Sequence, residues 1–383
     1  MEQKSGSGIA LCLRLHADYL CQHAGACCTA GWAIPIEKRA YEQVRVHFGG
    51  QERRRLFAHA GSPPEGTAAV LAVQPSGACV FFEPDRGNLC AVHRELGVAS
   101  LPSACRHFPR IVLHDARGTF ISLSHFCPTA AGLLRSPSTA SFEVVRAPGP
   151  LALESDITDD ISSRLEGLDA RGALPPLLRP GMLTDLEGYD AWERAGVALL
   201  SRDDFTASGA LAILTIATRA VQSWRPGRGS LRATVEREFE IASIDKPDKN
   251  LDASGGDEQR VRAALSSVPS GLTYPSPVED WLARWQSGSA GWGDIDDAVR
   301  GYLAARLFGN WIAYYGQGLH TIVEYLHVAL AVLKMEAVRH HAHESASPPW
   351  PTVTEAVRSA DLLLVHLAET RMLARLLDAK PLA

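Results

Sequence analysis

Apolar and polar positions alternate on two scales along this chain, in short broken runs before about residue 135 and in long helical stripes after it. In the first part, Ile9 to Leu20 leads into a cysteine stretch and Trp32-Ala33-Ile34-Pro35-Ile36 has a short extended character. Glu37 to Phe48 reads as a helix, because Tyr41, Val44 and Phe48 fall on one face. Gly61 to Gly77, with Ser62-Pro63-Pro64 and Pro75-Ser76-Gly77, reads as a loop.

Two turn signals then interrupt apolar runs. Pro84-Asp85-Arg86-Gly87 separates Cys79–Glu83 from Asn88–Val92, and a hairpin there would set Phe81 opposite Cys90, with Cys79 diagonal on the same face. Asp115-Ala116-Arg117-Gly118 separates Arg110–His114 from Thr119–Ser124, and pairing outward from it draws the segments of Cys105 and Cys127 together.

From Arg135 to Pro150 the chain turns to Ser, Pro and Ala, the expected edge of this region. Beyond it the stripes are helical: Asp203-Asp204 can cap a helix toward Trp224, and Ile295 to Trp311 and Leu319 to His340 carry apolar faces. Thr352-x-x-Glu355 resembles a capping box opening a last helix to Leu377. Lys246 to Gln259 reads as an exposed loop. The expected fold is mainly α, a Cys-rich region (1–135) with small β-hairpins packed on a helical part (136–383).

Composition narrows the function classes. At 46 % hydrophobic and 21 % charged, the chain is ordinary for a globular protein. Lys and Arg number 14 against 10 acidic residues up to Arg135, and 24 against 33 after it, so the net of -5 divides into +4 and -9. No basic run interleaves with aromatics, which argues against nucleic acid. Val328 to Leu333 is too short for the roughly 20 residues of a membrane span. The polar start, Met1 to Gly8, has no apolar core of a secretion signal, so a cytoplasmic protein with reduced thiols is expected.

That expectation gives the cysteines their meaning. All eight lie at or before Cys127, and Cys27-Cys28 are adjacent. Thiols gathered this densely in a reducing compartment point to metal or cluster ligation rather than packing. Paired C-x2-4-C knuckles of structural zinc are missing, and so is the C-x3-C-x2-C of radical S-adenosylmethionine enzymes. Cys127-Pro128 matches the proline that follows a ligand in ferredoxin-type runs. The candidate ligands are Cys21, Cys27, Cys28, Cys79, Cys90, Cys105 and Cys127, with Cys12 the weakest. His93, His107 and His125 suit supporting roles, Arg106 and Arg110 could balance thiolate charge, and His340, His341 and His343 read as a solvated helix end.

The order Cys21-x-x-Ala24-Gly25-x-Cys27-Cys28, Cys79-Val80-Phe81-Phe82, Cys90-Ala91-Val92 and Cys105-Arg106-His107-Phe108-Pro109 resembles the C-x-x-C-G-x-C-C cluster of the YkgJ-type zinc- or iron-chelating family. Gly31-Trp32-Ala33-Ile34, Tyr41, Leu96-Gly97, Leu101, Phe108-Pro109-Arg110 and Ser122-Leu123-Ser124-His125-Phe126-Cys127-Pro128 are closer to its flagellin lysine N-methylase branch. Arg300-Gly301-Tyr302-Leu303 and the last helices extend the likeness more weakly. The resemblance implies an iron–sulfur cluster, of the 4Fe-4S type, and methyl transfer from S-adenosylmethionine to lysines of flagellin or another protein substrate. The alternative is a non-enzymatic zinc- or iron-binding protein with a structural metal.

Chemically, a lysine nucleophile must lose its proton, and Glu83 or Asp85 at the hairpin tip are candidate bases, though turn and rim roles suit them better. No glycine-rich nucleotide fingerprint marks a donor site. The chain departs from the family pattern at Ala24, where a second cysteine would stand. Either Cys12 or His23 fills that place, or the site has one ligand fewer.

Overall fold

The computed structural model describes residues 9–50, 55–58, 66–135, 137–149, 151, 166–244, 256–288, 295–341 and 349–379. It is mainly helical, around a five-stranded mixed sheet. Numbering only the strands of that sheet, β1 is Ala10–Leu13, β2 Arg110–Asp115, β3 Gly118–Leu123, β4 Val144–Arg146 and β5 Glu166–Asp169, in the spatial order β4-β1-β3-β2-β5.

The β2–β3 hairpin has the expected turn. Asp115 pairs with Gly118 and Arg110 with Leu123, and the Asp115 carboxylate accepts the Arg117 N–H at 2.8 Å, an Asx turn that the sequence chemistry favours. What periodicity did not announce is β1, which lies parallel to β3 with Cys12 opposite Ile121. The sheet also crosses the boundary expected near residue 135, since β4 pairs with β1 and β5 with β2.

The helices bear on one another around Leu319–His340, whose span matches the sequence reading. Its polar residues are buried in pairs: Lys334 reaches Asp257 at 3.0 Å, Glu336 holds Arg339 at 2.9 Å and His327 meets Thr215 at 3.0 Å. Helix 207–222 is capped by Thr206, which accepts from Gly209 N–H, rather than by Asp203 or Asp204. Thr352 lies inside helix Trp350–Asp361, which opens with Pro351 in its first turn, so the capping box does not form. The last helix is broken: a π turn at 362–367 separates it from Thr370–Asp378. Part of the expected loop is helix too, because Asp257–Ser266 begins there, while 246–255 lie outside the described residues.

Arginines fasten the sheet to the helices. Arg117 lies between the rings of Phe120 and Tyr189 and pairs with Asp115 and Glu193. Arg306 donates to the Leu123 carbonyl at 2.6 Å, and the Ser122 hydroxyl donates to the Ala305 carbonyl at 3.0 Å.

Between β1 and β2 the chain leaves the sheet and builds a lobe from short pieces. Pro35–Ile36 pairs with Ala69–Val70, Phe82–Glu83 with Leu89–Cys90, and helix Lys38–Phe48 buries Ala40, Val44 and Phe48 against them. This lobe has its own core, in which Ile36, Val44, Phe48 and Phe81 pack with Cys28 and Cys79. Among the described residues no helix is long and apolar enough to cross a membrane.

Candidate metal centre

The cysteines are brought in by several short elements. Cys27 and Cys28 sit on helix Ala26–Thr29, which follows Gly25 in the left-handed region at φ 77°. Only glycine fits there, because a Cβ would come within 2.7 Å of the Phe82 ring. Cys79 is brought in by its backbone, its N–H donating to the Cys28 carbonyl at 2.7 Å. Cys90 and Cys127 stand at the starts of helices Ala91–Leu96 and Pro128–Gly132, and Cys105 lies on Ser103–His107.

The first hairpin differs from its expected register by one residue. Phe82, not Phe81, is opposite Cys90, because the tip takes up one residue more in a 3-10 turn over Pro84–Arg86. In this register Phe81 lies in the lobe core, while Cys79 lies before the strand pair, bridged to Val73 and bonded to Cys28 through its backbone.

Six of the thiols, Cys21, Cys27, Cys28, Cys90, Cys105 and Cys127, line one cavity of about 230 Å³ between the lobe and the end of the sheet. Cys79 is buried behind Cys28 as one of its thiol neighbours, with Cys27 and Cys90. Cys12 is fully buried in β1, away from the cavity lining, and burial pushes its thiol up to about 11. Of the two residues proposed to replace a ligand at Ala24, His23 lines the cavity and Cys12 does not. All eight cysteines are free thiols.

The thiols sense one another strongly. Cys27 and Cys28 have Sγ atoms 4.0 Å apart, and hydrogen bonds with Cys28 hold Cys27 below the ordinary thiol value and Cys90 down at about 7. Cys28 is pushed up by the same bonds. Burial, followed by repulsion from Cys27, Cys79 and Cys90, raises Cys105. On the opposite wall the Tyr19 hydroxyl lies 3.7 Å from Cys127 Sγ, and burial is the first cause that raises both groups.

The rest of the lining is mostly apolar, with Leu20, Val98, Leu101 and Phe108, and carries two arginines and two histidines. Arg106 and Arg110 reach the wall, where no carboxylate does among the described residues, and His23 and His93 face each other with ring centroids 4.8 Å apart. His107 is buried outside the lining with neither ring nitrogen partnered, and His125 turns away to His16, at 3.2 Å, and Asp361. Glu83 is held by Arg94 at 3.0 Å and Asp85 is exposed on the turn, so neither hairpin carboxylate is part of the cavity wall. His340 bonds Ser359 at 3.0 Å, while His343 lies outside the described residues.

Sequence reasoning missed Tyr19 and Asn88 in the wall. Tyr19, two residues before Cys21, was the readable signal.

The donor set is soft and thiol-rich, and the volume is that of several waters at about 30 Å³ each. No group of three or more His, Cys, Asp or Glu is arranged to hold one metal ion among the described residues. The thiols are spread over a wall, which suits a group larger than one ion, with different ligands at different corners. No protein-family model, no curated protein and no solved structure matches this chain.

Proposed function

We propose that this chain is a cytoplasmic thiolate metalloprotein whose cavity holds an iron–sulfur cluster, and that it methylates lysine side chains of a protein substrate such as flagellin. The observation that carries the metal reading is the convergence of six thiols, from four separate stretches of chain, on one cavity. Cys21, Cys27, Cys28, Cys79, Cys90, Cys105 and Cys127 are the candidate ligands, and Arg106 and Arg110 offset the negative charge of a thiolate-ligated group. The methyl-transfer half rests on the resemblance of the cysteine motifs. In that reaction a neutral lysine amine attacks the methyl carbon of S-adenosylmethionine, the carbon–sulfur bond breaks with its electron pair passing to sulfur, and the amine proton leaves to a base.

A second reading is favoured by the cavity's size. At about 230 Å³ it is smaller than the roughly 300–1,000 Å³ of small-molecule pockets, and among the described residues its wall offers no carboxylate base. A metal stapling the lobe, with zinc or iron and no catalysis, needs neither.

Purification under nitrogen with metal and acid-labile sulfide analysis separates the two. Iron with stoichiometric sulfide supports the cluster, and zinc without sulfide overturns it. Labelled S-adenosylmethionine incubated with flagellin and cluster-loaded protein should label lysine, and an intact cluster with no transfer overturns the enzyme reading.

A further inference from the structure

The cavity joins two separate packing units. Cys27, Cys28, Cys79, Cys90 and Cys105 belong to the lobe core or pack against it, whereas Cys127 and Tyr19 belong to the core at the end of the sheet, with Ile121 and Leu123. A group bound across the cavity therefore depends on what holds the two together.

The segment before Cys127 is gripped residue by residue from the C-terminal helices. Arg306, on helix Asp296–Leu307, donates to the Leu123 carbonyl, and the Asp361 carboxylate accepts the His125 N–H. Arg358 donates to the Phe126 carbonyl at 3.0 Å, and His366 Nε2 meets the Ser124 hydroxyl at 2.7 Å. His366 stands on the π turn at 362–367, an irregularity often found at functional sites. Its other ring nitrogen lies 3.3 Å from Glu166, a carboxylate acceptor, so Nδ1 carries the proton and Nε2 accepts from the Ser124 O–H. The Ser124 hydroxyl accepts the Phe126 N–H in turn at 3.3 Å, and the Ser124 carbonyl accepts the Cys127 N–H at 3.3 Å. This Ser–His–Glu order is that of a hydrolytic triad, but Ser124 is 1 % exposed and holds Phe126, which suits positioning rather than attack. The His366 ring also packs on Trp32, centroids 4.6 Å apart, and Trp32 backs onto the lobe core four residues after Cys28.

We propose that His366 is a positioning residue of the metal centre. Through Ser124 it places Cys127, and through Trp32 it ties that thiol to the loop of Cys27 and Cys28. This rests on the cavity carrying the iron–sulfur cluster, and adds that the C-terminal helices set the spacing of its two walls. A cluster ligated from both walls changes its electronic character when one thiolate shifts, even where the ligand set is kept.

The test compares H366A, S124A and H366Q in the full chain, loaded with iron and sulfide under nitrogen and again without metal. H366A and S124A should keep iron, sulfide and circular dichroism yet shift the reduction potential of the cluster. H366Q, whose amide reaches the place of Nε2, should restore it. In the metal-free chain, alkylation of Cys127, followed by peptide mass spectrometry, should quicken about tenfold in H366A and S124A, the equivalent of one lost hydrogen bond, while Cys90 keeps its rate. A potential and a Cys127 rate unchanged in both variants would overturn the proposal. So would equal quickening at Cys90 and Cys127, the mark of general loosening. If the chain takes up no iron and sulfide, the cluster reading fails alone, and the rates at Cys127 and Cys90 still decide the positioning role.

Discussion

The lobe and the helical body bury their side chains by opposite means. The body is built on helix Leu319–His340, buried along nearly its whole length, and each of its interior charges has a partner. The lobe is held by strand pairs of two residues and helices of a few turns at most, and its core counts thiols among its packing residues. A region with so little regular hydrogen bonding has less to stabilise it than aliphatic packing gives the body. Its thiols therefore serve the fold as well as any chemistry, and the two regions should fail under different insults.

On the proposed metal reading, stripping the metal from the loaded protein tests that contrast most severely. Structural metal supplies roughly 10–16 kcal/mol in the smallest zinc-folded peptides, so the effect here should be several kcal/mol and confined to the lobe. Amide exchange should quicken at Cys79, Val80 and Ala91, whose N–H groups bond within the lobe, and stay slow along Leu319–His340. Equal loss of protection in both regions would erase the distinction.

The converse insult falls on the body. Asp361 is fully buried, accepts from Tyr302 at 3.0 Å and faces Arg306. D361A leaves that guanidinium buried and uncompensated and should cost about 3–5 kcal/mol in chemical unfolding, with metal content of the loaded protein unchanged.

The same carboxylate predicts an acid weakness. Burial alone would raise Asp361, but Arg306 and His125 outweigh it and hold it at about 2. A carboxylate held low stabilises the fold above its unfolded value and loses that contribution as pH falls from about 4 to about 2, here about 2 kcal/mol. Urea midpoints for the wild type should drop across that window more than those of D361N. At the small end, E236A breaks an exposed pair with Arg232 on a helix surface and should leave the melting temperature unchanged.

Local chemistry made some of this legible. The Asp115–Gly118 turn, the span of Leu319–His340 and the face of Lys38–Phe48 could be read because turn residues and period sit within a few positions of one another. Neighbouring thiols were legible for the same reason. The strand β1 was not, because its partner β3 lies about a hundred residues away and Cys12 looks like any other cysteine until the sheet buries it. The slip at Phe82 escaped because a 3-10 turn absorbs one residue more than a tight hairpin. The division of thiols between two walls depends on which core each backs onto, and spacing carries no record of that.

The lobe's two tethers share one end of the sheet. The chain departs from β1 at Leu13 and re-enters β2 at Arg110, on strands that flank β3 and so stand about 10 Å apart at the usual strand spacing. That is the geometry of an inserted cassette, whose entry and exit a short link could span. The five strands pair with one another and not with the lobe, so the sheet's ladder is complete without it. The strand ladder of the host is thus topologically independent of the cysteine-bearing insert, which enters and leaves through one end of the sheet.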